Sequence, residues 1–238
     1  MNTARDHGRK LPYQRLLIGF NHHVECRSVL GFVAQLAQIT EVELAGVFVE
    51  DEQLLDLARL PFTTEILRSS HQARTLVSAN VERDMRALAD SLQRSLRIVA
   101  ERSRRQFSFR TVRGRLLREL LAQTGAHDLI LLRTACDPWW RPASAPTENK
   151  GPVVMLEPPP GANGDLAGLA RQIAQAMKQQ LVEAPAITGA QAILALHPSI
   201  IIASAGMFAH DTSGAAIESF VDAAPCPVLL VPDTGPQR

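Results

Sequence analysis

The stretch QRLLIGFNHHVECRSVLGFVAQLAQITEVELAGVFVE (residues 14–50) decides the fold. An apolar run at 14–20 predicts a buried strand, and a run rich in β-branched residues at 42–50 predicts a second strand. The apolar positions between them recur at helical spacing and predict a helix over about 25–38: Val29, Phe32, Val33, Leu36 and Ala37. A strand–helix–strand unit of this length forms a right-handed parallel crossover, which indicates an α/β protein.

The rest of the chain repeats this alternation. Further strands are predicted at 107–112, 127–133, 153–157, 199–205 and 226–233, and helices at 70–105, 114–125, 165–181, 189–197 and 213–224. The segment 182–188 is too weak to predict an element. The segment 60–65 is either a lid at the ligand-binding edge or a turn in which Thr63 or Thr64 caps a helix.

Residues 134–152 contain four prolines and no helical period, which marks a linker. We therefore expect a first lobe at 1–135, a Pro-rich linker at 136–152 and a second, shortened lobe at 153–238. The strand at 153–157 could close the first lobe or open the second. The turn and helix that follow it favour the second.

Composition excludes several classes of protein. The 238 residues carry a net charge of +1, so the whole chain shows no preference for polyanions. Three distant cysteines do not form a disulfide framework, and no apolar window approaches the roughly 18 residues of a membrane span. We expect a cytoplasmic protein.

The sequence lacks several well-known catalytic and nucleotide-binding motifs. It has no G-x-S-x-G elbow, Walker loop or H-E-x-x-H motif, so enzymatic activity is left open and is not favoured. The cluster HHVE (residues 22–25) has no further metal ligands nearby, so no metal site is expected.

Five segments together resemble the universal stress protein family: RLLIGFN, LAGVFVE, TVRGRLLRELL, AHDLILLR and the ending ESFVDAAPCPVLLVPD. The resemblance covers most of the chain as two tandem copies. It implies two lobes of the adenine nucleotide hydrolase-like type, each with a mainly parallel sheet. It also implies pairing through the last strand, either as an internal pseudo-dimer or as a homo-oligomer.

Nucleotide-binding members of that family carry a loop of the form G-x2-G-x9-G-[S/T], whose glycine N–H groups approach phosphate oxygens. This chain has Ala203, Gly206, Gly214 and Ala215 at the corresponding places. The first glycine and the final hydroxyl are missing, and the loop is two residues shorter. Ser213 could supply a hydroxyl or could cap the following helix. The resemblance implies a degenerate nucleotide loop.

The other ligand-binding positions implied by the resemblance lie after strands. Asn21 replaces the acidic residue after the first strand, and Glu157 stands at that place in the second lobe. Gly114 matches the glycine after the third strand, where it also permits a tight turn. Arg133 stands where the first-lobe loop would begin and could pair with a phosphate or with an acidic side chain.

The segment from Arg94 to Arg118 contains nine arginines and a single acidic residue, Glu101, and could bind a polyanion. They span a helix end, a strand and a helix start, so they are expected to point in several directions. Trp139 and Trp140 either pack the linker onto a lobe or contact a partner.

These features together predict a cytoplasmic, stress-associated regulatory or adaptor protein that binds ATP or AMP weakly or not at all. One alternative is an ATP-binding nucleotide sensor with slow hydrolysis. A second is a polyanion binder that uses the Arg94–Arg118 cluster. A protein partner is expected but not identified, and nucleic acid and membrane are not favoured.

Overall fold

The structure, a computed structural model, describes residues 12–21, 26–66, 72–132, 151–157, 165–185, 190–208, 215–224 and 226–232. Up to residue 132 the elements are β1 (Arg15–Phe20), α1 (Cys26–Thr40), β2 (Glu43–Asp51), α2 (Glu52–Arg59), β3 (Thr64–Ile66), β4 (Ala73–Thr75), α3 (Ser78–Ser103), β5 (Phe107–Gly114), α4 (Leu116–Ala122) and β6 (Asp128–Leu132). From residue 151 they are β7 (Val153–Leu156), α5 (Leu166–Met177), β8 (Leu181–Ala184), α6 (Ala190–Ala195), β9 (Ile200–Ser204), a 3-10 turn (Ala205–Phe208), α7 (Ala215–Ala223) and β10 (Val228–Val231).

Eight strands form one sheet in the order β5-β2-β1-β6-β10-β9-β7-β8. Every neighbouring pair is parallel except β6 and β10, which are antiparallel. The predicted fold class, a mainly parallel α/β protein, is confirmed. We call residues 12–132 the first half and residues 151–232 the second half. Both halves contribute to the same sheet, whereas two separate sheets were expected.

The final strand, β10, lies inside this sheet. On one side it pairs with β6, so that Leu230 lies opposite Ile130. On its other side it pairs with β9, and Leu229 lies opposite Ile202. Because both of its edges have hydrogen-bonded neighbours, β10 joins the two halves and has no free edge for a strand from another molecule.

Helices cover both faces of the sheet, which is why its six inner strands are largely apolar, whereas the edge strands β5 and β8 are more polar and more exposed. On one face α1, α2, α3 and α5 contribute Leu36, Leu55, Leu92 and Ile173 to a core that includes the strand residue Phe48. On the other face α4, α6 and α7 pack a second core, whose buried helix residues are Leu117, Leu120, Ile193, Ile217 and Val221. Within the described residues, no helix is both long and apolar enough to cross a membrane.

The segment between α2 and α3 differs from the prediction. The helix expected from residue 70 begins only at Ser78, and β3 and β4 form a separate antiparallel hairpin before it. The hydroxyl of Thr63 donates to the carbonyl of Leu60 and caps no helix. The N-cap of α3 is Val77, which makes no side-chain cap hydrogen bond. The start of α3 therefore has no capping residue that a sequence pattern could reveal.

One further boundary was wrong, and one further strand was not predicted. The helix predicted over 165–181 ends at Met177, because Lys178 adopts a left-handed backbone conformation with φ 54°. The chain then continues as β8, an edge strand that pairs in parallel with β7, in part of the segment predicted to have no element. A strand of four residues with one neighbour has too few apolar positions to show a period.

Candidate functional site

A cavity of about 230 Å³ lies at the carboxyl ends of the first-half strands. Its lining comes from four strand ends and from three helices, α2, α4 and α7. The lining residues are Asn21, Val49, Asp51, Gln53, Gly114, Arg115, Leu116, Leu117, Leu132, Glu218 and Val221. Helix α7 belongs to the second half, so both halves build the cavity.

The topology of the sheet places the cavity at a switch point. The chain leaves β1 through α1 and enters β2 on one side of β1. It leaves β5 through α4 and enters β6 on the opposite side of β1. The two connections run over opposite faces of the sheet, and the strand order reverses its direction between β1 and β6. Open α/β sheets bind their ligands at the carboxyl ends of the strands where the strand order reverses.

Gly114 shapes the floor of the cavity between β5 and α4. Its φ of +149° is a conformation that L-residues rarely adopt, and an added Cβ would also lie 2.7 Å from a carboxylate oxygen at the end of the Glu119 side chain, which would have to shift. The backbone conformation favours glycine here for the turn from strand to helix, with or without a ligand.

The charged groups of the cavity are mainly acidic. The carboxylate of Asp51 accepts hydrogen bonds from the backbone N–H groups of Gln53 (2.9 Å) and Leu54 (3.4 Å), and so caps α2. The guanidinium of Arg115 lies 3.5 Å from the carboxylate of Glu218. Arg115, the basic residue of the lining, is therefore paired with Glu218, which also lines the cavity. Because of this pairing, the lining offers little net positive charge to an anion.

The structure brings two of the predicted binding residues together. Asn21 and Gly114 both line the cavity, at the ends of β1 and β5. Glu157 follows β7 and Gly206 follows β9. These two strands run antiparallel to the first-half strands, so both residues lie at the end of the sheet opposite the cavity. Arg133, Ser213 and Gly214 lie outside the described residues.

The described part of the degenerate loop is an apolar turn. The backbone N–H of Gly206 donates to the hydroxyl oxygen of Ser204 at 3.1 Å. Met207 and Phe208 pack against the second core, and the ring of Phe208 lies 5.7 Å from that of Phe220. At this turn the N–H of Gly206, which would face a phosphate in a working loop, already has an acceptor.

The arginines of the Arg94–Arg118 cluster have different surroundings. Three of them lie near acids, as Arg105 with Glu41 (3.7 Å), Arg113 with Glu50 (3.2 Å) and Arg115 with Glu218 (3.5 Å). The guanidinium of Arg97 lies over the ring of Phe107, 5.9 Å from its centroid. Arg115 directly precedes α4, which covers one face of the sheet, whereas Arg97 belongs to α3 on the other face.

Sequence reasoning missed Asp51, Arg115 and Glu218 as cavity residues. Asp51 ends β2, so the rule that ligands lie at the carboxyl ends of strands could have found it. Arg115 follows Gly114 directly and could have been found with it. Glu218 had no such signal, because it reaches the cavity only through the packing of the second half on the first. Among the residues that the structure describes, no group of three His, Cys, Asp or Glu side chains could hold a metal ion.

Comparisons with known proteins agree on the fold. No protein-family model matches the sequence, and no curated protein matches it significantly. A universal stress protein from Archaeoglobus fulgidus DSM 4304 matches with a TM-score of 0.51 and 8% identity, over 94% of this chain and 98% of that one. A protein from the same family in Burkholderia pseudomallei matches with a TM-score of 0.32 and 11% identity, over 93% of this chain and 97% of that one. The match to the Archaeoglobus fulgidus structure confirms the fold class, since the chain has a universal-stress-protein-like α/β fold, and the tandem arrangement of two lobes stays a prediction.

Proposed function

We propose that this chain is a cytoplasmic, stress-associated regulatory or adaptor protein whose cavity binds adenine nucleotides weakly at most. The location of the cavity at the switch point beside β1 and β6 favours a small ligand there. Its volume of about 230 Å³ is below the ~300–1,000 Å³ usual for ligand pockets. A small cavity encloses less of a nucleotide, which supports weak binding.

The charge of the lining is the observation that carries the proposal. A nucleotide phosphate near Asp51 or Glu218 would meet a like charge, and at 4 Å in largely solvated surroundings each such contact opposes binding by ~1 kcal/mol. Arg115 could offset this only by leaving Glu218. At the opposite end of the sheet, the backbone N–H of Gly206 already donates a hydrogen bond to the hydroxyl oxygen of Ser204. Among the residues that the structure describes, neither place presents the set of free donors that a polyphosphate requires.

The alternative is an ATP-binding nucleotide sensor with slow hydrolysis. It would act through Gly206, Ser213, Gly214 and Glu157, and it predicts tight, saturable ATP binding at the second-half edge. Gly214→Val separates the two proposals. It would abolish ATP binding by a sensor and would leave weak binding at the first-half cavity unchanged.

The experiment is to denature the purified full chain, analyse the supernatant for released nucleotide, and titrate the emptied protein with ATP and AMP by calorimetry. We expect no stoichiometric nucleotide and no micromolar binding. Glu218→Gln is the informative variant, because it removes a carboxylate from the cavity. Asp56→Asn is the matched control, since Asp56 is also paired with an arginine, Arg59 at 3.2 Å, but does not line the cavity.

A further inference from the structure

Strand β5 forms one free edge of the sheet. It is eight residues long, and among the described strands it pairs with β2 alone. An edge strand presents a row of backbone N–H and C=O groups, with which a further strand can pair. The other edge strand, β8, has four residues and is followed directly by Pro185. Of the two edges, β5 therefore offers the longer row of backbone groups.

The register with β2 shows which backbone groups of β5 point outward. The N–H of Leu44 donates to the carbonyl of Gln106 at 2.9 Å, and Leu44 lies opposite Phe107. In a parallel ladder, alternate residues direct both backbone groups to the same neighbour, so the even-numbered residues of β5 bond to β2. The odd-numbered residues direct theirs away from β2, and we call their outward groups the β5 edge: Phe107, Phe109, Thr111 and Arg113. Within the described residues, these outward groups have no hydrogen-bond partner.

The surroundings of the β5 edge are basic. Residues 94–113 contain seven arginines and one acid, Glu101. Five of the arginines are exposed and make no ion pair with an acid that the structure describes: Arg94, Arg97, Arg102, Arg104 and Arg110. Two acids of β2 beside the strand already have partners. Glu43 accepts a hydrogen bond from the hydroxyl of Ser108 (3.1 Å), and Glu50 accepts one from the guanidinium of Arg113 (3.2 Å).

Unpaired arginines flank β5 on both faces of the sheet. The guanidinium of Arg97 lies 5.9 Å from the ring centroid of Phe107, on the face that α3 covers. Arg94 precedes Arg97 by three residues and lies on the same side of α3. Arg110 projects from the opposite face, because its partner in β2, Val47, packs in the second core. A strand added at the β5 edge would also alternate its side chains between these two faces.

The charges oppose a second copy of β5 as the added strand. Antiparallel pairing of two copies along residues 107–113 would place the two Arg110 side chains directly opposite each other, and like charges in that position destabilise a strand pair. A nucleic acid would match the arginines, but its backbone offers phosphate acceptors and no N–H donors to the outward carbonyls. An extended peptide with carboxylate side chains satisfies both the backbone groups and the arginines.

We infer that an acidic, extended segment of a partner protein adds to β5 as a further strand, with carboxylates beside Arg97 and Arg110. In this mode of recognition the main-chain hydrogen bonds supply affinity and the side chains supply specificity. The inference rests on the proposed adaptor function, for which it names the class of partner. It is tested without nucleotide, so its failure would leave the nucleotide-binding part of that proposal unaffected.

The test is a titration of the full chain into a fluorescein-labelled peptide of the sequence EEVVEEVV, which carries glutamate on both faces of an extended strand. Fluorescence anisotropy should show saturable binding. We expect the dissociation constant to rise at least about tenfold in Arg110→Glu, because an attraction becomes a repulsion. Arg171→Glu is the matched control and should change nothing, since Arg171 is also exposed but lies on α5 in the second half.

Thr111→Pro tests the backbone contact itself. It removes an outward N–H and no hydrogen bond to β2, and edge strands accept proline in that orientation. Thr111→Val keeps the N–H and is the matched control at the same position. We expect Thr111→Pro to abolish binding and Thr111→Val to preserve it, with circular dichroism checking the folding of each variant. The same peptide with alternate backbone nitrogens methylated, or with lysine in place of glutamate, should not bind.

Three results would overturn the inference. The first is that the acidic peptide does not bind at any concentration tested. The second is binding that both Arg110→Glu and Thr111→Pro leave unchanged, because the site would then lie elsewhere. The third is that the methylated peptide, or an eight-nucleotide thymidine strand, binds as tightly as the acidic peptide and is unaffected by Thr111→Pro. The arginines would then form a surface for polyanions without strand addition.

Discussion

The guanidinium of Arg115 lies 3.5 Å from the carboxylate of Glu218, and this contact joins the first residue before α4 to a residue of α7. The two residues belong to different halves of the chain and line the same cavity. The ion pair therefore does two things at once. It connects the halves beyond the β6–β10 pairing, and it reduces the positive charge that the cavity offers to an anion.

Replacing Glu218 by glutamine should strengthen ATP binding. The change removes one carboxylate from the cavity and releases the guanidinium of Arg115 for a phosphate. Since exposed ion pairs contribute ~0.2–1 kcal/mol, we expect an affinity increase of up to about fivefold by calorimetry. Asp56→Asn should leave the affinity unchanged. If Glu218→Gln weakened binding instead, the carboxylate would be a ligand contact and the proposed electrostatic account would fail.

Replacing Gly114 by alanine should destabilise the protein. The substitution places a Cβ at a φ of +149° and 2.7 Å from the carboxylate of Glu119, and we expect a loss of ~1–3 kcal/mol in the free energy of unfolding by urea. Gly31→Ala is the matched control. Gly31 lies inside α1 with no atom within 4 Å of the added Cβ, so this change should stabilise the protein by roughly 0.5–1 kcal/mol. Equal effects of the two substitutions would contradict the backbone argument.

The protein should lose stability at alkaline pH through Tyr13. Burial, with a smaller contribution from the Asp165 carboxylate, raises the pKa of Tyr13 from 10.0 to about 12. Between these values the unfolded chain has lost the phenolic proton and the folded chain keeps it, so the folded state binds more protons. The stabilisation is complete below pH 10 and is lost as the pH rises towards 12, by about 2–3 kcal/mol in total.

Tyr13 is the only tyrosine in the chain, so tyrosinate absorbance reports its ionisation directly. A titration midpoint near 10 in the folded protein would refute the assignment. The Tyr13→Phe variant should lack this part of the pH dependence. At neutral pH it should be as stable as the natural protein or more so, because the described residues offer the buried hydroxyl no hydrogen-bond partner.

Replacing Asp128 by alanine should destabilise the protein strongly. Its buried carboxylate accepts hydrogen bonds from the guanidinium of Arg15 and from the backbone N–H of Gly125, at 3.1 and 2.7 Å. Removing the carboxylate takes the acceptor away from the Gly125 N–H and from the guanidinium of Arg15, whose side chain is 29% exposed, and we expect this to cost ~1–3 kcal/mol. Urea unfolding measures the loss. Asp56→Ala removes an exposed ion pair and should change stability by less than about 0.5 kcal/mol. A small effect of Asp128→Ala would show that solvent already screens the pair.

Local sequence patterns predicted most of the elements and the fold class. Apolar runs such as those of β1 and β9 mark buried parallel strands, because helices cover both faces. The hairpin β3–β4 and the strand β8 were not predicted, and the reason is the same for both. Each strand is three or four residues long, and each depends on a partner strand rather than on its own periodicity.

Only a small part of the cavity lining could be predicted from the sequence. Asn21 directly follows β1, and Gly114 is the last residue of β5. Ligand-binding residues of a parallel sheet lie at these carboxyl ends of the strands. Glu218 reaches the same cavity from more than one hundred residues away, because β10 pairs antiparallel to β6 and brings α7 over the first half. That pairing depends on tertiary packing, which no local pattern encodes.

The most direct test of the proposed function is the calorimetric titration of the emptied full chain with ATP. The account predicts no stoichiometric nucleotide in the purified protein, and at most millimolar binding that Gly214→Val leaves unchanged. Micromolar binding that Gly214→Val abolishes would contradict it. The shortened loop after β9 would then be a working phosphate site, and the chain would be a nucleotide sensor.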